Sequence, residues 1–146
     1  FTDRHATESF WRNLIGGSAT SRFHRPPYGL GLGGKAMTHI KSMRLLEAEV
    51  DFVNAVPDSE SRLLSERSPN EAYLSYIPGE QYVVYFPDGG SVGLDLSRVE
   101  GEYRLKWLDI ENSRWAGEDL IRTARVVTLS PPDGGHWAVR VVPVSQ

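Results

Sequence analysis

A cluster of side chains that could bind a sugar lies near the start of the sequence, in the segment that holds Arg22, His24, Arg25 and Tyr28. Arginine and histidine N–H groups donate hydrogen bonds to hydroxyls or to a carboxylate, and a tyrosine ring can stack on a sugar ring. If Ala19 to His24 form a barrel strand, the cluster lies at its C-terminal end, where barrel active sites are built. The alternative is that these residues cap the barrel or pair with nearby acids, and for this chain alone we favour that alternative.

Three tryptophans, Trp107, Trp115 and Trp137, lie in or beside segments that alternate like strands. Carbohydrate-binding proteins use exposed aromatic faces to stack on sugar rings, whereas a small β domain needs aromatic side chains in its core. We predict that Trp107 and Trp137 are buried. Trp115 lies in a turn-rich segment, so we predict that it is the exposed one and a candidate ligand-binding residue.

Carboxyl pairs are the other chemistry to look for, because a glycosidase needs two of them about 5–10 Å apart, one with a raised pKa. The chain has 19 acidic residues, but their positions indicate structural roles. Asp88 and Asp133 precede Gly-Gly and are typical of turns, while Glu47, Glu49 and Asp51 lie on the polar side of a predicted helix. We therefore predict no catalytic residue, and we do not expect this chain alone to be an enzyme.

Other reactive motifs do not fit the sequence. Residues Gly17 to Ala19 lack the Gly-x-Ser-x-Gly pattern of a serine hydrolase, and the glycines between Gly29 and Gly34 lack the spacing of a phosphate-binding loop. The chain has no cysteine, and its four histidines, His5, His24, His39 and His136, have no ligand spacing. We predict neither a metal site nor a cofactor.

Size and charge limit the remaining possibilities. A complete (β/α)8 barrel needs roughly 250 residues, whereas this chain has 146. Its net charge of −3 and the scattered basic residues argue against nucleic acid or an anionic membrane as a partner. We expect a soluble protein, although the sequence does not separate a bacterial cytoplasmic location from a secreted one. Because the chain begins at Phe1 rather than at methionine, we expect a truncated or processed product.

The first part of the sequence contains helical patterns. We predict a short helix over Ala6 to Leu14, a short strand over Ala19 to His24 and a long helix over Lys35 to Val56, ended by Pro57. The long helix carries an apolar stripe with spacings of three and four, formed by Met37, Ile40, Met43, Leu46, Val50 and Val53. The polar segment that follows, residues 58–70, is typical of a linker.

The second part consists of short alternating segments separated by Gly, Pro, Asp and Asn, which predicts an antiparallel β-sandwich. The overall fold class is therefore α+β, with a helical region followed by an all-β region. The seven predicted strands are Ala72 to Tyr76, Gln81 to Phe86, Ser91 to Leu96, Tyr103 to Leu108, a weaker Asp119 to Thr123, Val126 to Ser130, and Trp137 to Val142.

A family resemblance rests on the stretch from Tyr82 to Ser97, on later residues including Tyr103 and Trp107, and on the closing stretch from Leu129 to Trp137. These motifs resemble the C-terminal domain described as collagen-binding in bacterial glycoside-hydrolase-like proteins, some of them described as collagenases. The resemblance implies three parts: the end of a TIM-like (β/α)8 barrel at residues 1–57, a linker at 58–70 and an accessory β-sandwich at 71–146. In such barrels the catalytic carboxylates lie on earlier strands, which have no counterpart in this chain.

The resemblance implies a non-catalytic accessory module that binds a polysaccharide or a matrix protein such as collagen. The alternative is a glycoside hydrolase whose catalytic barrel lies upstream of Phe1, and a third possibility is that the sandwich only buttresses that barrel. A barrel-tail helix without its barrel would expose apolar surface. We therefore also consider a homodimer formed through the exposed long helix.

Overall fold

The structure is a computed structural model that describes residues 11–12, 14–15, 34–52, 54–58, 63–68, 72–122 and 125–144. Residues 11, 12, 14 and 15 are helical, and α1 spans Gly34–Glu47. The strands are β1 (Val56–Pro57), β2 (Leu64–Ser68), β3 (Tyr73–Ile77), β4 (Gln81–Phe86), β5 (Ser91–Asp95), β6 (Glu102–Asp109), β7 (Arg114–Arg122), β8 (Val126–Leu129) and β9 (Trp137–Pro143).

The strands form two antiparallel sheets. The larger sheet has six strands in the order β1-β3-β4-β9-β6-β7, and the smaller has three in the order β2-β5-β8. The two sheets pack face to face over a core that includes Val84 and Phe86 from β4, Leu94 from β5, Leu129 from β8 and Val139 from β9. The predicted antiparallel β-sandwich is therefore present, and the sheets do not close into a barrel.

A helical layer covers the outer face of the six-stranded sheet. We use this name for the helical residues 11, 12, 14 and 15 together with α1. Trp11, Ile15 and Leu46 of this layer pack against the sheet residues Tyr85 and Leu108 in a second buried cluster. The central strands of the six-stranded sheet are thus buried on both faces, by the smaller sheet on one side and by the helical layer on the other.

Polar contacts hold α1 and the residues after it in place on this face. The Ser42 hydroxyl donates to the carbonyl of Ile110 at 2.6 Å, and the Ser113 hydroxyl donates to the carbonyl of Thr38 at 2.7 Å. Just after α1, the Gln81 side-chain amide accepts from the N–H of Asp51 and donates to its carbonyl, each at 2.8 Å. Because these groups are buried or half-buried, losing a partner would leave a polar group unpaired at a cost of about 1–3 kcal/mol.

β4 lies in the middle of this arrangement, and all six of its residues are buried. Tyr82, Val84 and Phe86 point into the sandwich, while Val83 and Tyr85 point toward the helical layer. A strand covered on both faces needs a continuous apolar run rather than alternation. The sequence from Tyr82 to Phe86 provides that run.

The structure corrects several predicted boundaries. The long helix ends at Glu47 rather than at Val56, and in the turn that follows the N–H groups of Glu49 and Val50 both donate to the Leu46 carbonyl. Pro57 does not end that helix but lies in β1, at the edge of the larger sheet, where a missing N–H is tolerated.

Two strands differ from the sequence prediction. The segment predicted as a linker contains β2, which pairs with β5. β7 begins at Arg114 and not near Asp119. The predicted barrel strand, Ala19 to His24, lies outside the described residues, and the structure does not show a barrel remnant.

Two turns, each with the sequence Pro-Asp-Gly-Gly, meet at one end of the sandwich. The backbone N–H of Gly135 donates to the Asp88 carboxylate at 3.1 Å, and the N–H of Gly89 donates to the carbonyl of Gly135 at 3.0 Å. Within the second turn, Gly134 donates its N–H to the Asp133 carboxylate at 2.8 Å. Asp88 and Asp133 therefore serve as turn residues, and the β4–β5 and β8–β9 connections are tied together.

Replacing Gly89 with alanine is expected to destabilise the protein more than replacing Gly79. Both glycines have positive φ, 59° at Gly89 and 74° at Gly79, so each substitution costs about 1–2 kcal/mol of backbone strain. A methyl group at Gly89 would also lie 3.1 Å from the backbone of Asp133 and of Gly134, whereas nothing lies within 4 Å at Gly79. We expect a further cost of about 1–3 kcal/mol for Gly89→Ala, measured by urea unfolding; equal losses for the two variants would contradict this packing.

Candidate functional site

Of the predicted ligand-binding residues, Trp115 lies in the part of the chain that the structure describes. It lies near the start of β7, opposite Leu108 of β6, on the face that the helical layer covers. Its ring is half-buried, whereas the other tryptophans of the chain, Trp11, Trp107 and Trp137, are buried. The other predicted ligand-binding residues, Arg22, His24, Arg25 and Tyr28, lie outside the described residues.

A charged pair accompanies Trp115. The Lys106 ammonium lies 4.2 Å from the centroid of the Trp115 ring, and it also bonds both carboxylate oxygens of Glu49 at 2.9 and 3.0 Å. β6 supplies Lys106, β7 supplies Trp115, and Glu49 comes from the turn after α1. We call these three residues the Trp115 platform.

The platform has the chemistry of a shallow ligand site rather than of a catalytic centre. An aromatic ring beside an ammonium and a carboxylate offers stacking together with hydrogen-bond donors and acceptors. The lysine already occupies one side of the ring, and an exposed cation–π contact of this kind contributes about 0.5–1 kcal/mol. The Lys106–Glu49 ion pair is partly exposed, with a contribution of about 1 kcal/mol or less. A ligand could therefore displace Lys106 from the ring at low cost.

Trp107 and Trp137 are core residues, as predicted. They are 6% and 8% exposed, and their rings meet edge to face at a centroid distance of 6.4 Å. The indole N–H of Trp137 donates to the carbonyl of Gly134 at 3.1 Å, which links the core to the turns described above. Buried indoles of this kind satisfy their one donor and stabilise the fold.

A buried group of aromatic and histidine side chains lies between the helical layer and the sheet. The Tyr85 hydroxyl and His136 Nδ1 are 2.8 Å apart, and the indole N–H of Trp11 donates to His39 Nδ1 at 3.4 Å. Because an indole nitrogen only donates, His39 accepts at Nδ1 and carries its proton on Nε2. The two histidine rings meet edge to face at 6.2 Å. Sequence reasoning missed this group, because its members are distant in the chain and follow no motif.

The aspartates that the structure describes in or beside loops and turns stabilise the local backbone. Each of six accepts a hydrogen bond from a backbone N–H: Asp51, Asp58, Asp88, Asp95, Asp109 and Asp133. At Asp95, hydrogen bonds from the Ser97 hydroxyl and backbone N–H lower the pKa below its ordinary value. A carboxyl held ionised in this way suits a turn and not a general acid.

Metal ligands and membrane spans were also sought in the described part of the chain. Among those residues, no group of three or more His, Cys, Asp or Glu side chains could hold a metal ion. None of the helices in the same residues has both the length and the apolar character needed to cross a membrane.

Comparison with known proteins gives a likeness in fold. No family model matches the sequence, and no curated protein matches it. Two solved structures resemble the chain with a TM-score of 0.72 and 16% sequence identity: a glycoside hydrolase family 5 protein from Bacteroides vulgatus and a protein described as a glycoside hydrolase. At this identity the likeness shows that the fold is shared.

The extent of the match differs between the chains. It covers 99% of this chain and 37% of the Bacteroides vulgatus protein, and 100% of this chain and 38% of the second protein. The chain therefore spans less than two fifths of the length of the structures that it resembles, and it corresponds in fold to one part of each.

Proposed function

We propose that this chain is a non-catalytic accessory module of a glycoside-hydrolase-like protein. The observation that carries the proposal is the fold match, because nearly the whole chain corresponds to a little over a third of a glycoside hydrolase family 5 protein. A fold that recurs as one part of a larger hydrolase suits a module that accompanies a catalytic domain. Fold alone does not determine function, so the site residues must also support the proposal.

The acidic residues support a non-catalytic role. A glycosidase keeps its two carboxyl groups free to face the scissile bond, with one pKa raised. The six aspartates named above instead accept backbone hydrogen bonds, and Glu49 pairs with Lys106. These groups therefore hold turns and the surface of the module together.

We propose that the ligand is a polysaccharide that stacks on Trp115, with Lys106 and Glu49 bonding its hydroxyls. The half-buried ring and its charged neighbours support this choice. Arg22, His24, Arg25 and Tyr28 remain candidate ligand-binding residues on sequence grounds. A matrix protein such as collagen is the other ligand class that the sequence resemblance implies.

Binding and hydrolysis can be tested on the same preparation. We expect the chain to release no reducing sugar from plant or bacterial polysaccharides, and isothermal titration to detect binding to at least one of them. Trp115→Ala should weaken that binding about tenfold, since an aromatic contact contributes around 0.5–1.5 kcal/mol beyond its buried area.

Met37→Ala provides the control for this test, because Met37 is an exposed apolar side chain on α1, away from the platform. Its affinity should equal that of the unchanged chain. Hydrolysis by the chain alone would overturn the non-catalytic proposal. Binding to triple-helical collagen and to none of the polysaccharides would reassign the ligand, and binding to neither would leave the module a purely structural role.

A second candidate function is a glycoside hydrolase in which this chain is one part and the catalytic barrel is another. The names of the two structures that it resembles, and the share of their length that it covers, favour this candidate. Sequencing the coding region upstream of Phe1 tests it directly. We expect an open frame with barrel strands and a pair of carboxylates, and a stop codon directly upstream would contradict it.

A further inference from the structure

Among the residues that the structure describes, β7 is the last strand of the six-stranded sheet and pairs with β6 alone. From Ala116 to Leu120 its residues are exposed, and Leu120 is 57% exposed. An exposed edge strand presents a row of backbone N–H and C=O groups that can pair with another strand. Nine residues is long for an unprotected edge, since strands are typically about 5–6 residues long.

A bulge divides β7 into two parts. Gly117 lies opposite Trp107 while Trp115 lies opposite Leu108, so Ala116 is the extra residue. Beyond the bulge, residues 117–122 pair with β6 in regular register. Glu118, Leu120 and Arg122 lie opposite Lys106, Arg104 and Glu102, which places all three on the outer face of the sheet.

The order of these three side chains is self-complementary. Two copies of β7 related by a two-fold axis through Leu120 would place Leu120 against Leu120, and Glu118 of each copy against Arg122 of the other. Pairing about Glu118 would instead oppose like charges at Glu118, and pairing about Asp119 would oppose two aspartates. Opposite charges across an antiparallel pair stabilise it and like charges destabilise it, so charge favours the register centred on Leu120 over these two alternatives.

We propose that two copies of this chain associate by antiparallel pairing of β7 with β7, centred on Leu120. The pairing joins the two six-stranded sheets edge to edge. Arg104 already contacts Glu118 at 3.3 Å, so each side of the contact forms a row of Arg104, Glu118 and the other copy's Arg122. The same residues Arg104, Glu118 and Leu120 line a shallow surface depression at the centre of the contact.

The contact is small, because only residues 118–122 of each copy face one another. It falls below the roughly 1,200–2,000 Å² that stable complexes bury. We therefore expect a weak dimer whose population rises with concentration. This pairing is independent of the proposed function, and it uses a different surface from the exposed face of α1.

Charge reversal tests the register. Sedimentation of the full chain between about 10 µM and 1 mM, the range in which weak complexes form, should show a reversible monomer–dimer equilibrium. Glu118→Arg and Arg122→Glu should each weaken it about tenfold or more, since each opposes like charges at two symmetric places. The double variant carrying both changes should recover dimerisation, because it restores opposite charges.

Circular dichroism confirms that each variant is folded, and Met37→Lys is the matched control on α1. Loss of dimer in both single variants with recovery in the double variant supports the β7 pairing. A chain that stays monomeric at about 1 mM, the dissociation constant of a weak complex, overturns the proposal. A dimer that survives both charge reversals, or that is lost only in Met37→Lys, also overturns it.

Discussion

A chain trimmed to residues 54–146, which keeps the nine strands that the structure describes and removes the helical layer, is expected to be insoluble. The trimmed sheet would expose Val83, Tyr85, Leu108 and Ile110, all of which are fully buried in the intact chain. Exposing a buried side chain of this size costs about 1.5–3 kcal/mol, so the four together cost about 6–12 kcal/mol. That loss is comparable to the whole stability of a typical domain, about 5–15 kcal/mol.

Expression of the trimmed and intact chains side by side, followed by sedimentation of the lysates, measures this effect. A trimmed chain with Val83 and Leu108 both replaced by threonine is the matched control, and we expect it to regain part of its solubility. If the trimmed chain were instead soluble and as stable to urea as the intact one, the sandwich would fold without its helical layer. The expected result places the start of the folding unit before residue 54.

Trp11→Ala is expected to lower the free energy of unfolding by about 3–5 kcal/mol, as large-to-small changes at buried aromatic residues do. Trp11 is 0% exposed, its ring stacks on that of Tyr85 at 5.8 Å, and its indole N–H bonds His39. The substitution removes the stacking and leaves His39 Nδ1 without this donor. Urea denaturation followed by circular dichroism gives the measurement.

Two controls separate packing from hydrogen bonding at Trp11. Trp11→Phe keeps an aromatic ring and loses the donor, so it should cost less than Trp11→Ala by about 2 kcal/mol. Met37→Ala, at a side chain that is 60% exposed, should change stability by less than about 0.5 kcal/mol. A loss below about 1 kcal/mol for Trp11→Ala would mean that the helical layer contributes little to the fold.

Local signals in the sequence account for most of the sandwich. The apolar run from Gln81 to Phe86 predicts β4 with the boundaries that the structure shows, and the Asp-Gly turns separate the strands that follow. β2 was not predicted, because its Ser-Glu-Arg-Ser sequence is polar and its pairing with β5 is a long-range contact. Polar strands carry no periodic signal, so only their partners identify them.

The helical layer shows a different limit of prediction from sequence. The apolar stripe on the long helix predicts that one face is buried, but it does not identify the surface that buries it. We expected that surface to belong to a barrel. In the structure Leu46 and Val50 of this region pack on the sandwich, while Met37 stays exposed.

Only part of the candidate site could be predicted, again because a sequence pattern does not identify the partner of a side chain. The turn-rich segment around Trp115 predicted an exposed ring, whereas the structure places Trp115 in β7 with its ring half-buried. Lys106 and Glu49 could not be assigned to it, because Glu49 lies 57 residues before Lys106 and the two meet only in the folded sheet. Whether the chain binds a polysaccharide through this platform stays a prediction.

The central position of β4 has a consequence for the synthesis of the chain. The segment from Gln81 to Phe86 has no charge and a high β propensity, which are features of segments that form amyloid-like stacks when left unpaired. One of its edges pairs with β3, which is made before it, but the other pairs with β9, which is made only after β5 to β8. That edge therefore stays open until the residues of β9 have left the ribosome. Glu80 before the segment and Pro87-Asp88 after it are residues of the kind that discourage such stacking.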